Sequence, residues 1–223
     1  MNEQLAFDLP VRSATGREDF FVSPSNAVAV AQIEAWRDWP QRKMVLVGPM
    51  GAGKTHLAHV WADASGARIV AADALPRAGI EALSARGAVA VEDADRIAGD
   101  RAAEQALFHL HNLILAEGGV LLLTARSAPR QWPLALPDLR SRLEATATAT
   151  LEAPDDALLA ALLVKLFTDR QIAVPPKLIP YLVARMDRSF AAAQALVADL
   201  DRRALETGRK IGERLAAELL DKA

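Results

Sequence analysis

The chain has 223 residues, 52% of them hydrophobic, with a net charge of −2, a size that accommodates one α/β domain and a small second one. A pI near 6.1 argues against a module whose main task is to coat nucleic acid, which would show a basic face. The chain has no cysteine, which excludes disulfides, thiolate metal sites and cysteine catalysis.

No run of about 18 apolar residues offers a membrane span. Met1 to Pro10 lacks the basic flank and apolar stretch of a signal peptide. A cytoplasmic protein with no membrane association is expected. One local basic cluster, Arg202, Arg203, Arg209 and Lys210, falls in strongly helical sequence and reads as a solvated helix face.

In chain order, residues 1–17 read as an extended polar tail with Pro10 and Gly16. Asn26 is placed to cap a helix carrying Val28, Val30, Ile33 and Trp36, which Pro40 ends. Trp36 and Trp39 are expected to pack at the domain edge. Lys43 to Val47 is short and apolar and precedes glycine-rich sequence, so it reads as a buried strand.

Strand and helix signals then alternate. A helix through Leu57 and Trp61 is followed by a strand at Ala67 to Ala71 and a short helix near Ile80 to Arg86. A strand at Ala88 to Val91, a helix at Ala102 to Ala116 and a strand at Val120 to Thr124 come next, with Gly118 and Gly119 as the turn before the last. A short strand is expected at Thr146 to Leu151. Such alternation implies a parallel sheet with helices on both faces.

After Pro154 only helical signals remain. Asp155 or Asp156 caps a helix to about Thr168, Pro175 and Pro176 interrupt the chain, and further helices begin near Lys177, Ser189 and Ile211. The expected organisation is therefore a tail over 1–17, an α/β domain over 18–153 and an all-helical domain over 154–223.

Gly48-Pro49-Met50-Gly51-Ala52-Gly53-Lys54-Thr55 matches the phosphate-binding loop G-x-x-x-x-G-K-[ST] at every fixed position. Its glycines let backbone N–H groups converge on phosphate oxygens, and the following helix adds its positive end. Lys54 is assigned to the β- and γ-phosphates, Thr55 to Mg²⁺, and His56 joins the cofactor-binding set. A chance match in a chain of this length is about one in a hundred.

The strand ending in Glu92-Asp93 supplies acids at its C-terminal end, where open α/β sheets bind ligands. Glu92 is expected to hold Mg²⁺ and Asp93 to act as the base, an order that reverses the usual Asp-first arrangement and points to slow turnover. His56, His59, His109 and His111 lack a surrounding carboxylate cluster and read as packed or solvent-facing rather than metal ligands.

The string LVGPMGAGKTHLAHVWA, the strands ending in Glu92-Asp93 and Thr124, and LPDLRSRLEA at Leu136 to Ala145 resemble the AAA+ part of the DnaA initiator family. The likeness is greatest to its Hda-type regulatory inactivators, and it covers nearly the whole chain. It implies an AAA+ parallel sheet with a helical lid, and ADP or ATP with Mg²⁺ as cofactors. It also implies Thr124 as the sensor-1 residue and Arg142 as an arginine finger, with Arg140 the rival. Phe21 and Val22 resemble the segment beside the adenine, or else pack in the core.

Gln4, Leu5, Phe7 and Leu9 resemble the short segment that docks these proteins on the replication sliding clamp. The partners implied are DnaA and the clamp, with DNA reached through the clamp; self-association is left open. The DNA-binding domain that follows the lid in DnaA has no counterpart before Ala223. The chain departs from the family at the sensor-2 arginine, where Ala191 stands. Arg188 is three residues earlier and is the substitute candidate on the nucleotide, either on the same helix face or, with Ser189 as the cap, in the turn before the helix.

Overall fold

The computed structural model describes residues 21–220; the docking candidates Gln4, Leu5, Phe7 and Leu9 lie outside them. Five parallel strands, β1 (Lys43–Val47), β2 (Arg68–Ala71), β3 (Ala88–Glu92), β4 (Val120–Ala125) and β5 (Thr148–Thr150), form one sheet in the order β2-β3-β4-β1-β5. The chain leaves β1 for the far edge and returns on its other side as β5. The C-terminal end of β1 is therefore a topological switch point, the place where such sheets bind ligands.

Side chains of successive strand residues point to opposite faces, and both faces are buried. Val45, Val89, Val91, Leu121 and Leu123 pack against α4 (Arg101–Ala116) and α5 (Pro137–Glu144). Met44, Leu46, Ala88, Ala90 and Leu122 pack against α1 (Ala27–Glu34) and α2 (Lys54–Ser65). This is why the strands read as continuous apolar runs rather than alternating ones. The short α3 (Ile80–Ser84) completes the α4 side.

The C-terminal region has its own core. Leu159, Leu163, Phe167, Leu178, Leu182, Val197 and Leu215 interlock four helices, α6 (Asp156–Asp169), α7 (Leu178–Val183), α8 (Phe190–Thr207) and α9 (Glu213–Leu220). Asp155 caps α6 by accepting from the Leu158 amide at 2.8 Å, and Ser189 caps α8 by accepting from the Ala192 amide at 3.0 Å.

Three local expectations are corrected. Asn26 stands at the α1 N-cap, but its side chain turns backward: Oδ1 accepts from the Ser23 amide and Nδ2 donates to the Phe21 carbonyl. Val28 is 70% exposed, and Ala29 takes its expected place in the core. Trp36 belongs to a separate 3-10 turn, where it meets Trp61 edge-on while Trp39 stacks on it at 5.5 Å. Elsewhere boundaries shift by a residue or two, the size of ordinary end fraying.

Of the basic cluster, Arg202 and Arg203 lie on α8, whereas Arg209 and Lys210 fall in the loop after it rather than on a helix face, and the three arginines are paired. Arg202 pairs with Asp199, Arg203 with Glu206, and Arg209 with Glu218. Among the described residues, no helix is long and apolar enough to cross a membrane.

Candidate nucleotide site and an exposed arginine

The phosphate loop leaves β1 between its two neighbours. The Gly48 amide donates to Ala125 O at 3.2 Å, and the Leu151 amide to Val47 O at 2.7 Å. A Cβ on Gly48 would lie 2.5 Å from Leu151 O, so only glycine passes there. Gly51 has φ +77°, and a Cβ on it would lie 2.3 Å from Ser189 Cβ. Position 51 thus needs glycine twice: for its left-handed backbone, and for the close approach of the helical region. The Phe190 amide closes that approach by donating to Gly51 O at 3.0 Å.

Lys54 opens α2 and is only 8% exposed. Its Nζ donates to Gly48 O at 2.7 Å and Pro49 O at 2.9 Å. Burial lowers its pKa, opposed by the nearby carboxylates of Asp93 and Asp95 and reinforced by Arg126. The ammonium is thus held under the loop in a field of two acids. Thr55 is exposed and His56 half-buried on the same first turn; Pro49 and Met50 form the exposed loop crest and Ala52 packs inward.

Glu92 ends β3, and Asp93 follows in a left-handed conformation. The Asp93 amide donates to the buried Thr124 hydroxyl at 3.1 Å, joining β3 to β4 at the sheet's C-terminal edge. Glu92 Oε1 is buried without a hydrogen-bond partner among the described residues, and so is Asp95 Oδ1. Asp95 Oδ2 accepts from the Arg126 amide at 3.2 Å.

Buried carboxylate oxygens without partners are costly. Magnesium is held by one or two carboxylates together with phosphate oxygens and waters, and the unpartnered Glu92 oxygen at the C-terminal end of β3 has the chemistry to hold it. No group of three or more His, Asp or Glu ligands gathers among the described residues. Asp95 and Arg126 are absent from the sequence reading. Asp95 had a signal, as the third acid within Glu92 to Asp95; Arg126 had none.

Arg188 is three residues before Ala191 but outside α8, because Ser189 is the cap. Its guanidinium pairs with Asp156 Oδ1 at 2.7 Å. Asp155, alongside, accepts from the Ser25 amide at 3.3 Å, joining the segment before α1 to the helical region.

Arg142 lies elsewhere. It is exposed in the last turn of α5, its guanidinium 5.3 Å above the Phe108 ring, while its carbonyl accepts from Lys43 Nζ at 3.1 Å. Lys43 is the first residue of β1 and the phosphate loop follows the last. Lys43 and the loop are therefore at opposite ends of this strand, about 15 Å of backbone apart, with Arg142 at the Lys43 end. Arg140 is exposed on the same helix.

No protein-family model matches this chain. Among solved structures, domain III of the replication initiation protein DnaA from Thermotoga maritima superposes with a TM-score of 0.79. It is 18% identical, over 96% of this chain and 98% of that one. This chain has the DnaA-type AAA+ fold. AMPPCP-bound DnaA from Aquifex aeolicus superposes at 0.68 with 18% identity, over 85% of this chain and 65% of that one. The Thermotoga maritima RuvB Holliday junction branch migration motor also scores 0.68, at 15% identity, over 90% and 70%.

Proposed function

We propose that this chain binds ADP or ATP with Mg²⁺ and regulates a DnaA-type initiator in trans. Gln4, Leu5, Phe7 and Leu9 dock it on the sliding clamp, and Arg142 is offered to the nucleotide of a neighbouring ATP-bound DnaA. In its own site, loop amides and Lys54 hold the phosphates. Thr55 and Glu92 hold the magnesium shell, Asp93 and Thr124 flank the γ-phosphate position, and Arg188 stands at the lid side. Bound magnesium supplies charge neutralisation at the phosphates.

One observation carries the regulatory reading: Arg142 is solvent-exposed and a full strand length from its own phosphate loop. It has no route to the nucleotide bound by the same chain, but it is free to enter a neighbour's. A guanidinium so inserted neutralises charge on the γ-phosphate and accelerates transfer by about 10³–10⁵-fold.

The test is hydrolysis by ATP-loaded DnaA with clamp-loaded DNA. Arg142→Ala should abolish stimulation while clamp binding persists, and deletion of residues 1–10 should abolish both. Full stimulation by Arg142→Ala sinks the assignment.

A second reading, an autonomous ATPase that remodels DNA or loads a protein, draws on the Thr124–Asp93 link beside Lys54. It requires turnover by the isolated chain that Lys54→Ala removes.

A further inference from the structure

We infer that Arg142 is held in its presenting position by a buried polar seam, with Lys43 of β1 and Glu104, Phe108 and His111 of α4 as its positioning residues. The inference rests on the arginine-finger reading and deepens it.

Glu104, Phe108 and His111 are spaced i, i+4, i+7 on α4 and so share one face. Each meets a different part of α5 or its anchor. Glu104 is 1% exposed and clasps the lead-in to α5. Its Oε1 accepts from Ala135 at 3.0 Å and from Gly99 at 2.9 Å, and its Oε2 accepts from Leu136 at 2.7 Å. Phe108 lies beneath the Arg142 guanidinium at cation–π distance. His111, 5% exposed, abuts Lys43, with 3.2 Å between Nε2 and Nζ.

Lys43 closes the far end of α5. Carbonyls in the last turn of a helix lack intrahelical partners, and that end favours a cation. The Arg142 carbonyl receives two donors, Lys43 Nζ at 3.1 Å and Thr146 Oγ1 at 2.9 Å. The turn bearing the guanidinium is therefore tied to the strand rather than left to fray.

Lys43 is 4% exposed and has no carboxylate partner among the described residues. For stability alone, an apolar side chain of its shape would avoid the cost of burying an ammonium. What the ammonium adds is a directed bond to the Arg142 carbonyl. His111 suits it as an acceptor. Burial, the Lys43 charge and Arg142 hold its imidazole neutral, with a pKa of about 4, and its Nδ1 faces Asn112 Oδ1 at 3.3 Å. With that nitrogen protonated, Nε2 is left to accept from Lys43.

The experiment uses the full chain with clamp-loaded DNA and ATP-bound DnaA, comparing Lys43→Met, Thr146→Val and Arg142→Ala with the parent. Lys43→Met should keep the melting temperature, clamp binding, nucleotide affinity and half-saturating concentration. Maximal stimulation should fall between about tenfold and a hundredfold, the cost of a misplaced catalytic group. Amide exchange over residues 137–146 should accelerate. Thr146→Val should show the same changes more weakly, and it decides the matter if Lys43→Met fails to fold.

Full stimulation with unchanged exchange in the folded variant, while Arg142→Ala is inactive, overturns the seam and leaves the finger standing. Full stimulation by Arg142→Ala overturns the finger reading and this inference with it.

Discussion

Lys43 opens β1 and Lys54 follows the loop at its other end, and both are buried, at 4% and 8% exposure. Desolvation is the first cause lowering the pKa of each, but the second differs in sign. Asp93 and Asp95 draw the Lys54 pKa back up, whereas Arg142 pushes that of Lys43 further down. A lysine in a field of acids beneath an open glycine loop is arranged for a ligand. One sealed among a histidine, a carbonyl and an arginine is arranged for its neighbours. The same strand thus carries a site at one end and a support at the other, and selective damage to either end tests that division.

The largest effect is expected on the support side. Glu104→Ala leaves three part-buried amides without their charged acceptor and should cost about 4 kcal/mol in urea unfolding. Glu104→Gln, which keeps acceptor oxygen, should cost about half. Burial alone would raise the Glu104 carboxyl, but the Ala135, Gly99 and Leu136 amides together hold it below its ordinary value. Its contribution is therefore present above pH 4.5 and lost as pH falls through the lower folded value. Nucleotide affinity of the protein that remains folded should be unchanged; a large loss would show that the two ends are coupled.

Lys54→Ala is the complementary cut. It removes a charge-assisted donor to the β-phosphate and should weaken ADP binding by about a hundredfold, or ~3 kcal/mol. Calorimetry gives the number. Stability measured without nucleotide should fall by only about 1 kcal/mol, the net worth of the bonds from Lys54 to the Gly48 and Pro49 carbonyls.

These two residues also mark what the sequence could disclose. Lys54 was legible because the phosphate loop is local: eight consecutive residues, a strand before and a helix after. The same holds for the Asp155 and Ser189 caps, whose partners lie within three residues. Lys43 and Glu104 were not legible. No local motif marks either residue, and their partners Arg142, Ala135 and Leu136 are 31 to 99 positions away. The pairing of Arg126 with Asp95 across two strand ends was hidden for the same reason. Arg142 itself was found by resemblance, but its distance from its own loop is a property of the sheet order.

His111 gives a smaller, pH-dependent effect. Its pKa falls from 6.5 to about 4 in the fold, so the unfolded chain binds the proton more readily. Between those values stability should rise with pH, by up to about 3 kcal/mol in total. His111→Gln keeps an acceptor for Lys43 but cannot titrate. It should flatten that part of the stability–pH curve while leaving the neutral-pH value within about 1 kcal/mol. An unchanged slope would mean that His111 does not carry this pH dependence, and the support side would lose its electrostatic account.

The smallest effect sits between the two ends of the comparison, on the lid. Arg188 and Asp156 are half and three-quarters exposed, and an ion pair so solvated contributes under about 0.5 kcal/mol. Asp156→Ala should therefore be nearly silent in unfolding. Its value lies in what it does to ADP affinity. Asp156 holds the Arg188 guanidinium, the substitute candidate on the nucleotide side of the helical region. If that guanidinium also serves the phosphates, removing the competing carboxylate frees it, and ADP should bind a few-fold more tightly (about 0.5–1 kcal/mol). Arg188→Ala should then reverse the gain. Affinity unchanged in both variants would assign Arg188 wholly to the lid and leave Lys54 as the principal cation of the nucleotide end.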